Sequence, residues 1–218
     1  MPAKPKVDRR DTGSEGGRDL GFERLIFFSD AVFAIAVTLL ALDINLPAIP
    51  KQALSVRLRP ELFHLTHALV VYALSFFVVS SLWIAHHTMF RLIRKYDVRL
   101  LSLNLLFLLF VAALPIPTRI LGEYGNLREP VIFYLSFMIM ASLTKALMWS
   151  YATAGHRLID PRISLGRHEW LSYAAPLAFL ALVPLAFASP LMAERACPIV
   201  WLLHGLERQR AYRQALQS

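Results

Sequence analysis

This sequence is expected to fold as an all-α, polytopic membrane protein with six transmembrane helices. Three observations carry the expectation: composition, the length of the apolar runs, and the placement of the cations. The 218 residues are 56% hydrophobic and only 17% charged, with a mean hydropathy of +0.50. That lies far from a soluble domain. The apolar stretches approach the ~20 residues that, at about 1.5 Å rise each, cross a ~30 Å hydrocarbon core. Net charge is +8, but the cations gather in alternate connecting segments. Such alternation describes topology, with a lipid bilayer as partner and no nucleic acid. The single cysteine, Cys197, excludes an intramolecular disulfide and reads as a buried, inert thiol.

Residues 1–21 are mixed-charge and carry Pro2, Pro5, Gly13, Gly16 and Gly17. They are expected to form a disordered cytosolic tail, with no cleavable signal peptide apparent. Residues 22–206 form the expected six-helix membrane domain, and 207–218 a second cytosolic tail. The first span, Arg24 to Leu46, begins with a polar entry (Arg24, Ser29, Asp30) and continues as an apolar body interrupted by Thr38. A charged group inside a span is costly and usually faces protein or water, which makes Asp30 a functional candidate. At about 100° per residue, Ile35, Thr38, Leu39 and Leu42 share an arc of roughly 100°, extended by Phe28 and Ala31. Asp30 points about 140° away from Ile35. On periodicity alone, Ile35, Leu39 and Leu42 read as plain packing or lipid contacts rather than as a functional row. Pro47 and Pro50 stop this helix.

The second span runs roughly from Leu62 to His86, with Pro60 near its first turn, Trp83 at the interface, and His86 and His87 at its inner end. The third runs from about Leu100 to Leu114, where Pro115 and Pro117 end it before a short polar loop holding Arg119 and Glu123. The fourth covers roughly Val131 to Tyr151, with Lys145 expected to snorkel toward the interface. The fifth covers Trp170 to Ala188, kinked by Pro176 and Pro184. A weaker sixth segment, about Leu191 to Leu206, contains Glu194, Arg195 and Pro198. With the N-terminus inside, the inner segments hold fifteen Lys and Arg against five in the outer ones. This agrees with the positive-inside rule and argues for keeping the sixth segment.

That topology places Arg24, Ser29, Asp30, His86, His87 and Asn104 at one depth. Buried polar groups there need partners. A hydrogen-bonded cluster of Arg24, Asp30, Asn104 and one histidine, with His86 preferred over His87, is expected to hold the first helix at a fixed rotation. The alternative is that Arg24 and the histidines simply meet headgroups.

The motif Arg24-x-x-x-Phe28-Ser29-Asp30 followed by AVFAIAVTLLALDI resembles the signature of the transmembrane protein 175 family, potassium channels of bacteria and of animal lysosomes. The resemblance continues in Trp83-x-x-His86-His87 with Phe90, and in Asn104-Leu105-Leu106 with LPIPT (Leu114 to Thr118). Beyond about residue 125 only the hydropathy is similar. The resemblance implies that the first helix lines a pore. Ile35, Leu39 and Leu42 would form its constriction, and Thr38 would be a nearby ion-selectivity element. It further implies a homotetramer of single-repeat chains in the plasma membrane, with potassium as permeant ion and no cofactor or structural metal; the cation count puts both termini in the cytosol. A TVGYG-type carbonyl filter is absent from the sequence. A proton- or cation-coupled secondary transporter is the alternative. It is disfavoured because the two halves of the chain do not resemble each other. An enzyme is not expected, since no acid, base and nucleophile converge outside the polar cluster.

Overall fold

The computed structural model describes residues 12–42, 54–156, 158–159, 172–197 and 199–200. The expectations for residues 1–11, for the end of the first span at Leu46, and for the tail from residue 207 lie outside them. Within them the fold is all-α, joined by one isolated antiparallel bridge, Ile93 to Ile159.

Helix α1 (Thr12–Leu42) begins inside the stretch expected to be a disordered tail. The strong helix of the first span propagates backward through Gly16 and Gly17, because each added residue costs less than a new nucleus would. Its membrane-length portion is Leu20–Leu42. The buried residues Leu25, Ser29, Phe33, Ala36 and Leu40 recur every three or four positions, so one stripe faces the protein. Helix α2 (Leu54–Leu92) starts six residues before Pro60, not at it. Proline there removes only the bond to the Val56 carbonyl, which lies outside the membrane-length window Ala68–Leu92.

Helix α3 (Val98–Ala113) is capped by Asp97, whose Oδ1 accepts from the Leu100 N–H at 2.9 Å. The prolines after it do not end the span. Leu114 keeps helical dihedrals (φ −56°, ψ −32°), and α4 (Pro115–Tyr124) starts directly with Pro115 at its first position, where no N–H is needed. Together they form one apolar stretch, Val98–Tyr124, of 27 residues. Arg119 and Glu123, expected in a loop, lie on α4 and pair at 3.4 Å.

Helix α5 (Arg128–Thr153) is the central post of the bundle, packed against α3, α4 and α6 (Ala174–Ala188). It ends at Thr153, and the chain turns away through Gly155, whose φ of +61° favours glycine. In α6, Pro176 is the third helical residue, a position that needs no intrahelical donor, and only Pro184 lies in the interior. Residues 190–197 are again helical, with Ala193, Glu194 and Cys197 buried. Four helices are long and apolar enough to cross a membrane among the described residues, and α6, at 15 residues, is shorter. One continuous core of side chains from α1 to α6 holds the bundle together.

Candidate functional site

Helix α1 is two-faced. Toward α2, α3 and α4 it presents its buried stripe. On the opposite side, Ile35 is 58%, Leu39 40% and Leu42 75% exposed, and Phe28, Ala31 and Thr38 are exposed with them. The bulky aliphatics that share an arc in the sequence therefore share an uncovered face of the chain. The Thr38 hydroxyl donates to the Ile35 carbonyl at 2.8 Å, which turns its oxygen lone pairs outward from its own helix.

A relay of hydrogen bonds anchors the covered face. Asn104 Nδ2 of α3 donates to Ser29 Oγ at 3.0 Å, and Ser29 Oγ donates to the Leu25 carbonyl at 2.9 Å. Because Asn104 donates through its amide nitrogen, its Oδ1 is an acceptor. His86 of α2, whose Nε2 lies 2.8 Å from that oxygen, must then carry its proton on Nε2. Ser29, His86 and Asn104 are all essentially inaccessible. The imidazole is enclosed by rings: Phe90 at 4.3 Å and Phe107 at 5.5 Å, both stacked, and Phe33 at 5.7 Å, tilted. Each bond of this kind contributes about 1 kcal/mol net, while leaving one buried partner unsatisfied costs roughly 1–3 kcal/mol.

Asp30 belongs to a second, more exposed contact. Its Oδ1 accepts from the indole N–H of Trp83 at 2.8 Å, and the Trp83 ring stacks on His87 at 5.5 Å. The expected cluster is thus divided. His86 and Asn104 meet Ser29, Asp30 meets Trp83 with His87 behind it, and Arg24 stands exposed on α1 outside both sets. Sequence reasoning placed Trp83 in an interfacial belt and missed its bond to Asp30. The Trp83-x-x-His86 spacing, which puts the two rings on adjoining faces of one helix, was the available signal.

Lys145 does not snorkel. It is 1% exposed on the central helix α5, where neighbours on several sides leave its stem no path outward. Ser75 and Thr118 form a further buried contact at 3.3 Å between α2 and α4.

Three comparisons bear on this arrangement. The family model described as "Endosomal/lysosomal potassium channel TMEM175" matches residues 24–115, the stretch that contains the α1 face and both polar contacts. A Streptomyces collinus protein named a potassium channel is 36% identical over 200 residues, covering 84% of this chain and 87% of that protein. The mouse protein named "Endosomal/lysosomal proton channel TMEM175" is 32% identical over 197 residues, which is 81% of this chain but 38% of the mouse protein. Among solved structures, the crystal structure of a lysosomal potassium-selective channel TMEM175 homolog from Chamaesiphon minutus superposes with a TM-score of 0.76 at 26% identity. The match covers 86% of this chain and 97% of that one.

Proposed function

The chain belongs to the TMEM175 family, and from that membership we propose that it is a potassium channel whose pore is lined by α1. The observation that carries this reading is the exposed row Ile35, Thr38, Leu39 and Leu42, on a helix whose other face is fixed by the Ser29–Asn104–His86 relay. The names of the Streptomyces collinus relative and of the Chamaesiphon minutus structure support potassium as the permeant ion.

One helix per chain cannot enclose a path, so symmetric copies must surround an axis. In this reading four chains each contribute one α1. Ile35, Leu39 and Leu42 then form stacked aliphatic rings that narrow the path and gate it by dewetting. Thr38 sets four hydroxyls about one turn from Ile35, where a partly hydrated potassium ion meets oxygen. The conduction path needs no catalytic residue and no cofactor, and flux is passive. In this reading the chain crosses the plasma membrane six times with both termini in the cytosol, an orientation that the excess of Lys and Arg in the inner segments supports.

A reversal-potential measurement tests the proposal. The protein is reconstituted in planar bilayers with potassium on one side and sodium on the other, at equal pH. Reversal shifted toward the potassium equilibrium potential is expected. A reversal near zero with clear current removes the selectivity role of Thr38. Because the mouse relative is named a proton channel, a second recording imposes a pH gradient with equal potassium. Reversal that follows the proton gradient instead would reassign the permeant ion.

A further inference from the structure

The loop between α2 and α3 is held rigidly at the edge of two membrane-length helices. Ile93 pairs with Ile159, and the N–H groups of Arg94 and Lys95 both donate to the Leu158 carbonyl, at 2.7 and 3.2 Å. Asp97 ends the loop. Its carboxylate accepts from the Leu100 N–H and from the Tyr151 hydroxyl, so the one acid between residues 91 and 99 already serves two internal donors. On this frame Arg91, Arg94, Lys95 and Arg99 are all exposed. Arg91 is the penultimate residue of α2 and Arg99 the second of α3, so the four cations stand at the ends of the windows Ala68–Leu92 and Val98–Tyr124. That is the depth at which a hydrocarbon core gives way to headgroup phosphates.

We propose that this basic rim binds anionic phospholipid headgroups and that their binding fixes the adjoining end of α1. Arg91, Lys95 and Arg99, against one engaged acid, supply the charge. Their spread over a helix end, a loop and a helix start suits a row of membrane phosphates better than one soluble anion. The link to α1 is direct contact. Tyr96, in the same loop, stacks on Phe22 of α1 at 5.8 Å, and Phe22 stacks on Phe90 at 5.9 Å. A Cβ at Gly21 would collide with the Tyr96 hydroxyl unless that ring moved, so α1 and the loop are in close contact there. Through Tyr96, a restraint on the rim is passed to α1, the helix that carries Ile35 and Leu39. Only the consequence for conduction rests on the channel reading.

Purified full-length protein in a neutral detergent is titrated with phosphatidylglycerol or phosphatidylcholine, and thermal unfolding is followed. Phosphatidylglycerol is expected to raise the Tm and phosphatidylcholine to leave it unchanged. Substituting Arg91→Gln, Lys95→Gln and Arg99→Gln together should weaken the apparent affinity roughly fivefold per cation, about 100-fold in all. Replacing Arg91 and Arg99 by Lys should retain it. Hydrogen exchange over residues 20–28 should slow on adding phosphatidylglycerol to the wild type and not to the triple variant. Equal Tm shifts in wild type and triple variant, or a shift reproduced by inorganic phosphate alone, would overturn the headgroup site. A Tm shift with unaltered exchange over residues 20–28 would overturn the coupling to α1. Neither readout requires current, so a failure of the channel reading would appear separately, in the bilayer recordings.

Discussion

Ile35 is more than half exposed on a helix whose opposite side is packed against three others, which makes its side chain available to whatever fills the space in front of α1. If that space is a dewetted constriction, a polar group of similar size should hydrate it. Ile35→Asn is therefore expected to raise sodium permeability relative to potassium. Unchanged sodium permeability in a variant of normal assembly would remove Ile35 from the constriction. Behind the same helix, Asn104 illustrates the cost of an interrupted relay. Asn104→Leu strips His86 Nε2 of its acceptor and Ser29 Oγ of its donor, and should lower stability by about 2 kcal/mol in denaturant unfolding. Adding His86→Phe to Asn104→Leu replaces both partners with apolar groups among Phe33, Phe90 and Phe107 and should restore a large part of the loss. Strictly additive losses would show that the two residues do not act as a pair.

The rotation of α1 is set from two sides: by the buried relay at Ser29, and by the Asp30–Trp83 bond near the surface. Asp30→Ala leaves the Trp83 indole N–H without its acceptor and loosens α1 against α2. The expected result is poor assembly in size-exclusion chromatography, with Asp30→Asn, which keeps an acceptor oxygen, closer to wild type. A well-formed assembly of Asp30→Ala with altered ion selectivity would instead place Asp30 on the ion path. The polar motif was legible in the sequence because charge and amide groups inside apolar runs stand out. Its division into two contacts was not, because periodicity gives a residue's direction but not which partner reaches it. The boundary at Pro115 was misread for a related reason. Proline forbids a donor, not a helix, and a first helical position needs no donor, so the chain passes from α3 to α4 with helical dihedrals at Leu114. The burial of Lys145 was equally hidden, since a snorkelling route depends on how closely neighbouring helices stand around α5.

An isolated chain of this fold leaves one face of α1 uncovered, and two environments can cover it: lipid, or other copies of the same chain. They differ in what a cysteine there would meet. In a tetramer, Leu39→Cys from adjacent chains would crowd one axis, within the 4.4–6.8 Å Cα separation a disulfide requires if the constriction is narrow. With lipid in front of α1, those cysteines would be helices apart. Leu177, on α6, is similarly exposed but far in sequence and element from the α1 face, and so serves as the outward control. Mild oxidation of the Leu39→Cys protein in liposomes should give covalent dimers on a denaturing gel, and Leu177→Cys should remain monomeric. The native Cys197 is buried and should contribute no background. A water-soluble thiol reagent applied to the reduced Leu39→Cys protein should also lower its current, because the modified side chains would occupy the path. The reverse pattern, with crosslinks through Leu177 and none through Leu39, would put α6 at the contact between chains and α1 against lipid. The pore would then have to be sought on another helix.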